Sequence, residues 1–247
     1  MNENKTNKKV IIGIVSKHFE REEHRPNLFI RDEVKQAIFD NGGVAIGIIL
    51  PKNEKNNIEG KNDKWNNNFS PLEYDNLISQ IELCDGIIFQ GGAACDNYEM
   101  IIAKYCYDND IPTLGICCGQ NVLVRALDGT TYKIPNPEDH NLPDQNYVHN
   151  LTIDKKSKFF NIVRKDNIMV NSRHTRDIDK CPLLDKVGFS AEGYAEVVES
   201  KNKKFYIGVR FHPESLYKID KNINNIFKSF IECCMNKTDN KNSTTNN

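Results

Sequence analysis

One glycine stands two places before a cysteine and another two places after it, in Gly115-Ile116-Cys117-Cys118-Gly119. The pentapeptide joins two different hydrophobic periods. Upstream, Ile111 to Ile116 is a short apolar run suited to a buried strand; downstream, Val122, Leu123, Ala126 and Leu127 recur at helical spacing within Gln120 to Leu127. A strand that becomes a helix within so few residues brings two backbones close together, and small residues at 115 and 119 permit the approach. The central side chain is then held out at a helix N-terminus. There the helix dipole favours a thiolate, and backbone N–H groups can stabilise an oxyanion. The spacing fits a nucleophile elbow, and it fits equally a tight turn around a buried structural cysteine.

The elements on either side suggest the setting. Val10 to Val15 reads as a buried strand, His18 to Arg25 as a charged loop, Leu28 to Asn41 as a helix closed by Gly42-Gly43, and Val44 to Leu50 as a second strand ended by Pro51. That is a β-α-β unit, which predicts a parallel sheet. Lys52 to Phe69 is an Asn- and Lys-rich loop in which Trp65 is expected to be an anchor rather than a substrate contact. Ser70-Pro71-Leu72-Glu73 is a capping box that opens a helix ending near Leu83, Asp85 to Phe89 is a strand running into Gln90-Gly91-Gly92, and Asp96 opens a helix ending near Tyr107. Four strand–helix repeats predict an α/β, doubly wound, mostly parallel sheet whose ligands bind at the carboxyl ends of the strands, where Gly91-Gly92 and Cys117 fall. Beyond Gly129, the segments Val148 to Ile153, Ile168 to Val170, Val187 to Phe189, Ala195 to Glu199 and Phe205 to Phe211 read as a short-stranded antiparallel extension, followed by a helix from Ile219 to Met235. One domain is expected over 9–235, with 1–8 and 236–247 as disordered tails.

Lys plus Arg (33) nearly balance Asp plus Glu (34), so no nucleic-acid-binding field is expected. No apolar run is long enough to span a membrane and no signal peptide is evident, so a cytoplasmic protein with reduced cysteines is expected. The eight cysteines show no zinc-ligand spacing, and neither a metal nor a cofactor is expected.

A cysteine nucleophile needs a base, and the base needs a group to orient it. His212-Pro213-Glu214, directly after the apolar run Tyr206 to Phe211, offers both with proline stiffening the turn between them. A lone histidine after a strand is commonly structural; with Gly-x-Cys-x-Gly in the same chain, the catalytic reading is the stronger one.

With these motifs assembled, the chain resembles the class I glutamine amidotransferase superfamily, flavodoxin-like in fold, and within it the γ-glutamyl-γ-aminobutyrate hydrolase-like branch, peptidase family C26. The resemblance runs from Val10 to Ile231 and rests on Ala37 to Pro51, Gly91-Gly92, Gly115 to Gly119, Val170-Asn171-Ser172-x-His174 and Gly208 to Glu214. It implies that Cys117 attacks a γ-glutamyl carbonyl, His212 moves the proton and Glu214 holds the imidazole. It further implies an oxyanion hole from the N–H groups of Gly92 and Cys118, and a substrate site around Gly91, Gln120, Asn171, Ser172 and His174. For His174, a histidine bonded to nearby backbone is an equal alternative.

Three stretches depart from the family pattern: Cys118 stands where an arginine is usual, the loop after the glycine pair is cut to Ala93-Ala94-Cys95, and Asp128 to Ile134 replaces a Gly-Gly-Thr-Leu-Tyr-Gln-Asp-like segment. The Cys118 thiol could also serve as an oxidation partner of Cys117. The expected function is cysteine-dependent hydrolysis of the γ-glutamyl amide of a small molecule, releasing glutamate and an amine. The alternative is a glutaminase subunit that supplies ammonia to a separate synthetase. A non-catalytic binding module is disfavoured because all three triad positions are filled. Homodimerisation is left open.

Overall fold

The computed structural model describes residues 9–20, 26–51, 65, 69–92 and 95–244. Its centre is a nine-stranded sheet in the order β4-β1-β5-β6-β13-β12-β11-β8-β9. β1 (Ile11–Val15), β4 (Val44–Ile48), β5 (Gly86–Phe89), β6 (Thr113–Ile116) and β13 (Tyr206–Val209) run parallel to their neighbours in this half. β12 (Ala195–Glu199), β11 (Asp185–Phe189), β8 (His149–Ile153) and β9 (Asn167–Val170) continue the sheet antiparallel. The expected parallel sheet with an antiparallel extension is what forms.

Alternate residues of the parallel strands feed two separate cores, as a pleated strand buried on both faces must. Ile12, Ile14, Ile88, Leu114 and Ile116 pack with α1 (Asp32–Asp40), α5 (Lys158–Val163) and α6 (Lys221–Thr244). Val15, Ile87 and Phe89 pack with α2 (Pro71–Glu82), α3 (Asn97–Asp108) and α4 (Cys118–Arg125). The capping box at the start of α2 is present in full: Ser70 Oγ accepts from Glu73 N–H, while the Glu73 carboxylate accepts from Ser70 N–H at 2.9 Å. Trp65 packs against the second core, an anchoring role.

Some local expectations need correction. The charged loop at His18–Arg25 contains part of a hairpin, β2 (Lys17–Glu20) with β3 (Pro26–Phe29), so α1 begins at Asp32 rather than Leu28. Residues 21–25 of that loop, and 52–64 and 66–68 of the Asn-rich loop, lie outside the described residues. β7 (Thr130–Lys133) pairs with β10 (Arg176–Lys180) in a second small sheet that the polar, charged segments did not announce. Finally, α6 continues through Thr244, so 236–244 are helical rather than disordered. No glycine or proline follows Pro213, and nothing in the local chemistry stops the helix. The expected tails 1–8 and 245–247 are outside the described residues, as are Ala93 and Ala94 of the shortened loop. Among the described residues, no helix is long and apolar enough to cross a membrane.

Candidate active site

Cys117 sits between β6 and α4 with φ 54° and ψ −105°, a conformation that costs a non-glycine residue about 1–3 kcal/mol. Both flanking glycines are required by contact. A Cβ on Gly119 would lie 2.1 Å from the Phe89 carbonyl oxygen, and one on Gly115 would lie 2.7 Å from the Gly119 carbonyl oxygen. The Cys117 N–H donates to the Val209 carbonyl at 2.8 Å, tying the elbow to the end of β13. Three residues beyond that carbonyl comes His212.

The His212 ring stands beside Cys117, its Cε1 and the Cys117 Cβ lying 2.8 and 3.5 Å from where a Cβ on Gly91 would sit. The His212 Nδ1 lies 2.7 Å from Glu214 Oε1, and the Cys117 thiol is directed at the Arg173 carbonyl at 3.8 Å. All three side chains are buried. Burial opposes charge on the imidazole, but Glu214 and Cys117 outweigh it and raise the His212 pKa to about 10. For Glu214, burial pushes the other way and the His212 pairing prevails, holding the carboxyl below its ordinary range. Gly91 provides the room: a Cβ there would meet His212 Cε1 at 2.8 Å.

Asn171, expected at the substrate, grips the His212 backbone instead. Its Nδ2 donates to the His212 carbonyl at 3.0 Å and its Oδ1 accepts from the His212 N–H at 2.7 Å. Ser172 is likewise turned to the backbone, donating to the His140 carbonyl at 2.7 Å. Gln120 is fully buried between α4 and β13, with Nε2 directed at the Gly208 carbonyl at 3.4 Å, and is absent from the cavity wall. Gly92, Cys118 and His174 do line the cavity beside Cys117. Cys118 is also the first residue of α4, where N–H groups have no carbonyl one turn back to bond. His174 is unsuited to act as a base: Nδ1 is 3.2 Å from the Arg176 carbonyl, and burial with Arg210 nearby lowers its pKa to about 3.

The cavity, about 390 Å³, is lined by Arg125, Arg173, Arg176 and Arg210, with no carboxylate among its described lining residues. Reasoning from sequence assigned these arginines no role, although Arg173 and Arg210 lie inside the two motifs containing His174 and His212. Arg125 and Arg176 both reach Thr131 Oγ1, at 2.8 and 3.3 Å, and Arg210 donates to Asn121 Oδ1 at 2.7 Å.

Lys17 was also missed. It lies under Gly92, bonds Glu99 Oε2 at 2.7 Å and approaches Cys118 Sγ at 3.5 Å. Cys118 Sγ is 3.3 Å from Cys95 Sγ, so its sulfur partner is Cys95 rather than Cys117. The Cys95 hydrogen bond and the Lys17 charge pull the Cys118 thiol down against burial, while the same bond and burial push the Cys95 thiol up. Burial lifts Glu99 to about 8 in spite of Lys17.

Residues 92–214, from the cavity wall to the carboxylate behind His212, match the Peptidase C26 family model. Curated relatives include the CTP synthases of Borreliella afzelii, 28% identical over 61% of this chain and 35% of that protein, and of Chlamydia abortus, 30% identical over 69% and 38%. The chain therefore spans about a third of the length of the curated relatives it matches. Among solved structures, the glutaminase domain of Trypanosoma brucei CTPS with bound acivicin superposes with TM-score 0.61 at 18% identity, covering 92% of this chain and 94% of that one. A glutamine amidotransferase of Thermotoga maritima gives TM-score 0.56 at 15% identity over 92% and 97%. These structural likenesses are likenesses of fold.

Proposed function

We propose, from the premise that the chain carries a Peptidase C26 domain of the class I glutamine amidotransferase type, that it is a glutaminase whose ammonia feeds a synthetase. The reading rests on one observation above others: a strained cysteine beside a buried imidazole that a carboxylate holds at 2.7 Å. The CTP synthase relatives support glutamine as the substrate, in preference to the γ-glutamyl amide of a small molecule expected from the motifs.

In this mechanism Cys117 Sγ attacks the side-chain amide carbon of glutamine. With its pKa near 10, the His212 ring is protonated at neutral pH, so the acid that must protonate the departing nitrogen is in place. Ammonia leaves and a glutamyl thioester remains on Cys117. Water, deprotonated by His212, attacks the thioester; glutamate departs and the thiol is restored. Glu214 and Asn171 are positioning residues, one for the ring and one for its backbone. The developing oxyanion is assigned to the N–H groups of Gly92 and Cys118.

A second reading has its own observation. Four arginines and no carboxylate on the described cavity wall suit a substrate carrying more than one carboxylate, such as a γ-glutamyl amino acid. Glutamate release by the full chain from glutamine and from a panel of γ-glutamyl amino acids separates the two. Turnover of glutamine with little of the panel supports the glutaminase. Turnover of the panel at a kcat/KM at least tenfold above glutamine replaces it with a γ-glutamyl hydrolase.

A further inference from the structure

Behind the wall formed by His174 lies a cluster of four donors that the chemistry at Cys117 does not use. His140 ends the short 3-10 turn Pro137–His140, His149 begins β8, His174 follows β9, and Glu196 is the second residue of β12. Each offers one ligand atom, and these four atoms all lie within 4.8 Å of one another. Glu196 is fully buried, His140 and His174 nearly so, and His149 is 11% exposed at its side chain.

The hydrogen bonding leaves this centre unsatisfied. His174 Nδ1 is 3.2 Å from the Arg176 carbonyl and His149 Nδ1 is 3.3 Å from the Asn150 carbonyl. A carbonyl can only accept, so both rings carry their proton on Nδ1 and turn a bare Nε2 lone pair inward. Those lone pairs face the same carboxylate oxygen, Glu196 Oε1, at 3.2 and 3.6 Å. Neither Glu196 oxygen has a hydrogen-bond partner in the structure, nor does His140 Nδ1, while His140 Nε2 lies 3.9 Å from Glu192. Lone pairs and a carboxylate converging in a buried site repel one another unless a proton or a cation sits between them. The nearby Arg210 charge acts on Glu196, but neither Glu196 oxygen accepts a hydrogen bond from it. Histidines whose far nitrogen is held by a carbonyl or carboxylate are the usual presentation of imidazole to a metal.

We propose that His140 Nδ1, His149 Nε2, His174 Nε2 and Glu196 form a binding site for one zinc ion. Three imidazoles and a carboxylate are a ligand set for Zn²⁺, and bonds of about 2.0–2.1 Å set tetrahedral ligand edges of about 3.3 Å. The two edges to Glu196 Oε1, at 3.2 and 3.6 Å, are already close to that value, and the remaining edges, all within 4.8 Å, would close by side-chain movement. Four protein ligands leave no open position, so the ion is structural. It fastens the 3-10 turn, β8 and β12 to the loop that presents Arg173 to the Cys117 cavity. Ser172 Oγ and the His174 N–H, both bonded to the His140 carbonyl at 2.7 and 2.8 Å, hold that turn in register. The donors are 9, 25 and 22 residues apart along the chain, which is why no metal-ligand spacing was visible in the sequence.

The test is metal titration of the full chain, freed of metal by a chelator, first with Zn²⁺ and then with Co²⁺ as a spectroscopic substitute. One zinc per chain is expected, with a Tm raised by about 5 °C or more at a hundredfold excess over Kd. Co²⁺ should give the visible bands of a tetrahedral nitrogen–oxygen site without a thiolate charge-transfer band. Glu196→Gln and His149→Asn should each weaken zinc at least tenfold, whereas the double variant Cys95→Ser/Cys118→Ser should retain it. Absence of stoichiometric zinc in the wild-type chain, a thiolate band, or zinc binding undiminished by Glu196→Gln would each overturn the assignment. The wild-type titration decides the matter even if a variant fails to fold, and none of these readouts depends on turnover.

Discussion

At the scale of single residues, the proposed chemistry assigns unequal duties to a thiol, a ring and a carboxylate. Cys117→Ala removes the only group placed to form the acyl-enzyme, and kcat should fall by at least about 10³-fold with the fold retained by circular dichroism. His212→Asn should cost about 10²–10⁴ in kcat, since the ring transfers protons in both half-reactions, and Glu214→Gln should cost less. The two variants also differ in stability against pH. The His212 pKa is raised above the ordinary histidine value of about 6.5, so the charged ring's contribution is complete below that pH and disappears as pH rises through about 10. The Tm gap between wild type and Glu214→Gln should therefore be widest near pH 6 and narrow by pH 10; a gap that widens with pH would show that the ring is not held charged in the folded protein. Sequence could propose these three residues because their motifs are contiguous, and the fold brings their side chains together. It placed Gln120, Asn171 and Ser172 at the substrate, whereas the fold turns their side chains to backbone, an orientation that proximity to a motif does not reveal.

At the scale of elements, the elbow works because β6 and α4 meet without a Cβ between them. Gly119→Ala pushes a methyl group against the Phe89 carbonyl, which cannot move without breaking the β5–β6 pairing, and should destabilise the chain by about 1–3 kcal/mol or more while abolishing turnover. Melting in denaturant measures this directly; a wild-type midpoint would mean that the turn tolerates a side chain. Asn171→Ala leaves the buried His212 N–H unpaired and should cost about 1–3 kcal/mol, with kcat falling more than KM rises because the ring is displaced rather than the substrate. The short α5 was not read from the sequence, and α1 begins four residues later than its apolar spacing suggested. By contrast, α2 and α3 were legible through caps and apolar spacing, at Ser70 and Asp96, both of which close full capping boxes. β7, β10 and the β2–β3 hairpin were not, because they pair short polar segments whose partners are remote or whose hydrophobic alternation is weak. The arginine-lined cavity has the same origin: Arg125 ends α4, Arg173 follows β9, Arg176 opens β10 and Arg210 follows β13, so elements remote in sequence bring them to one wall.

At the scale of the whole molecule, one sheet serves two purposes. Its parallel half carries the cysteine, and its antiparallel strands β8 and β12 contribute His149 and Glu196 to the four-donor cluster behind the cavity. The match to the Peptidase C26 family model and the likeness of fold to a glutaminase domain concern the module as a unit; ammonia release from glutamine is the function proposed for it. The most direct test of that claim is to mix the full chain with glutamine, quench in acid within the first turnovers and map the modified peptide by mass spectrometry. A glutamyl thioester on Cys117, formed with one equivalent of ammonia and absent from Cys117→Ala, is the predicted result. Ammonia and glutamate released at the wild-type rate by Cys117→Ala, or a glutamyl adduct on Cys95 or Cys118 with Cys117 unmodified, would contradict it.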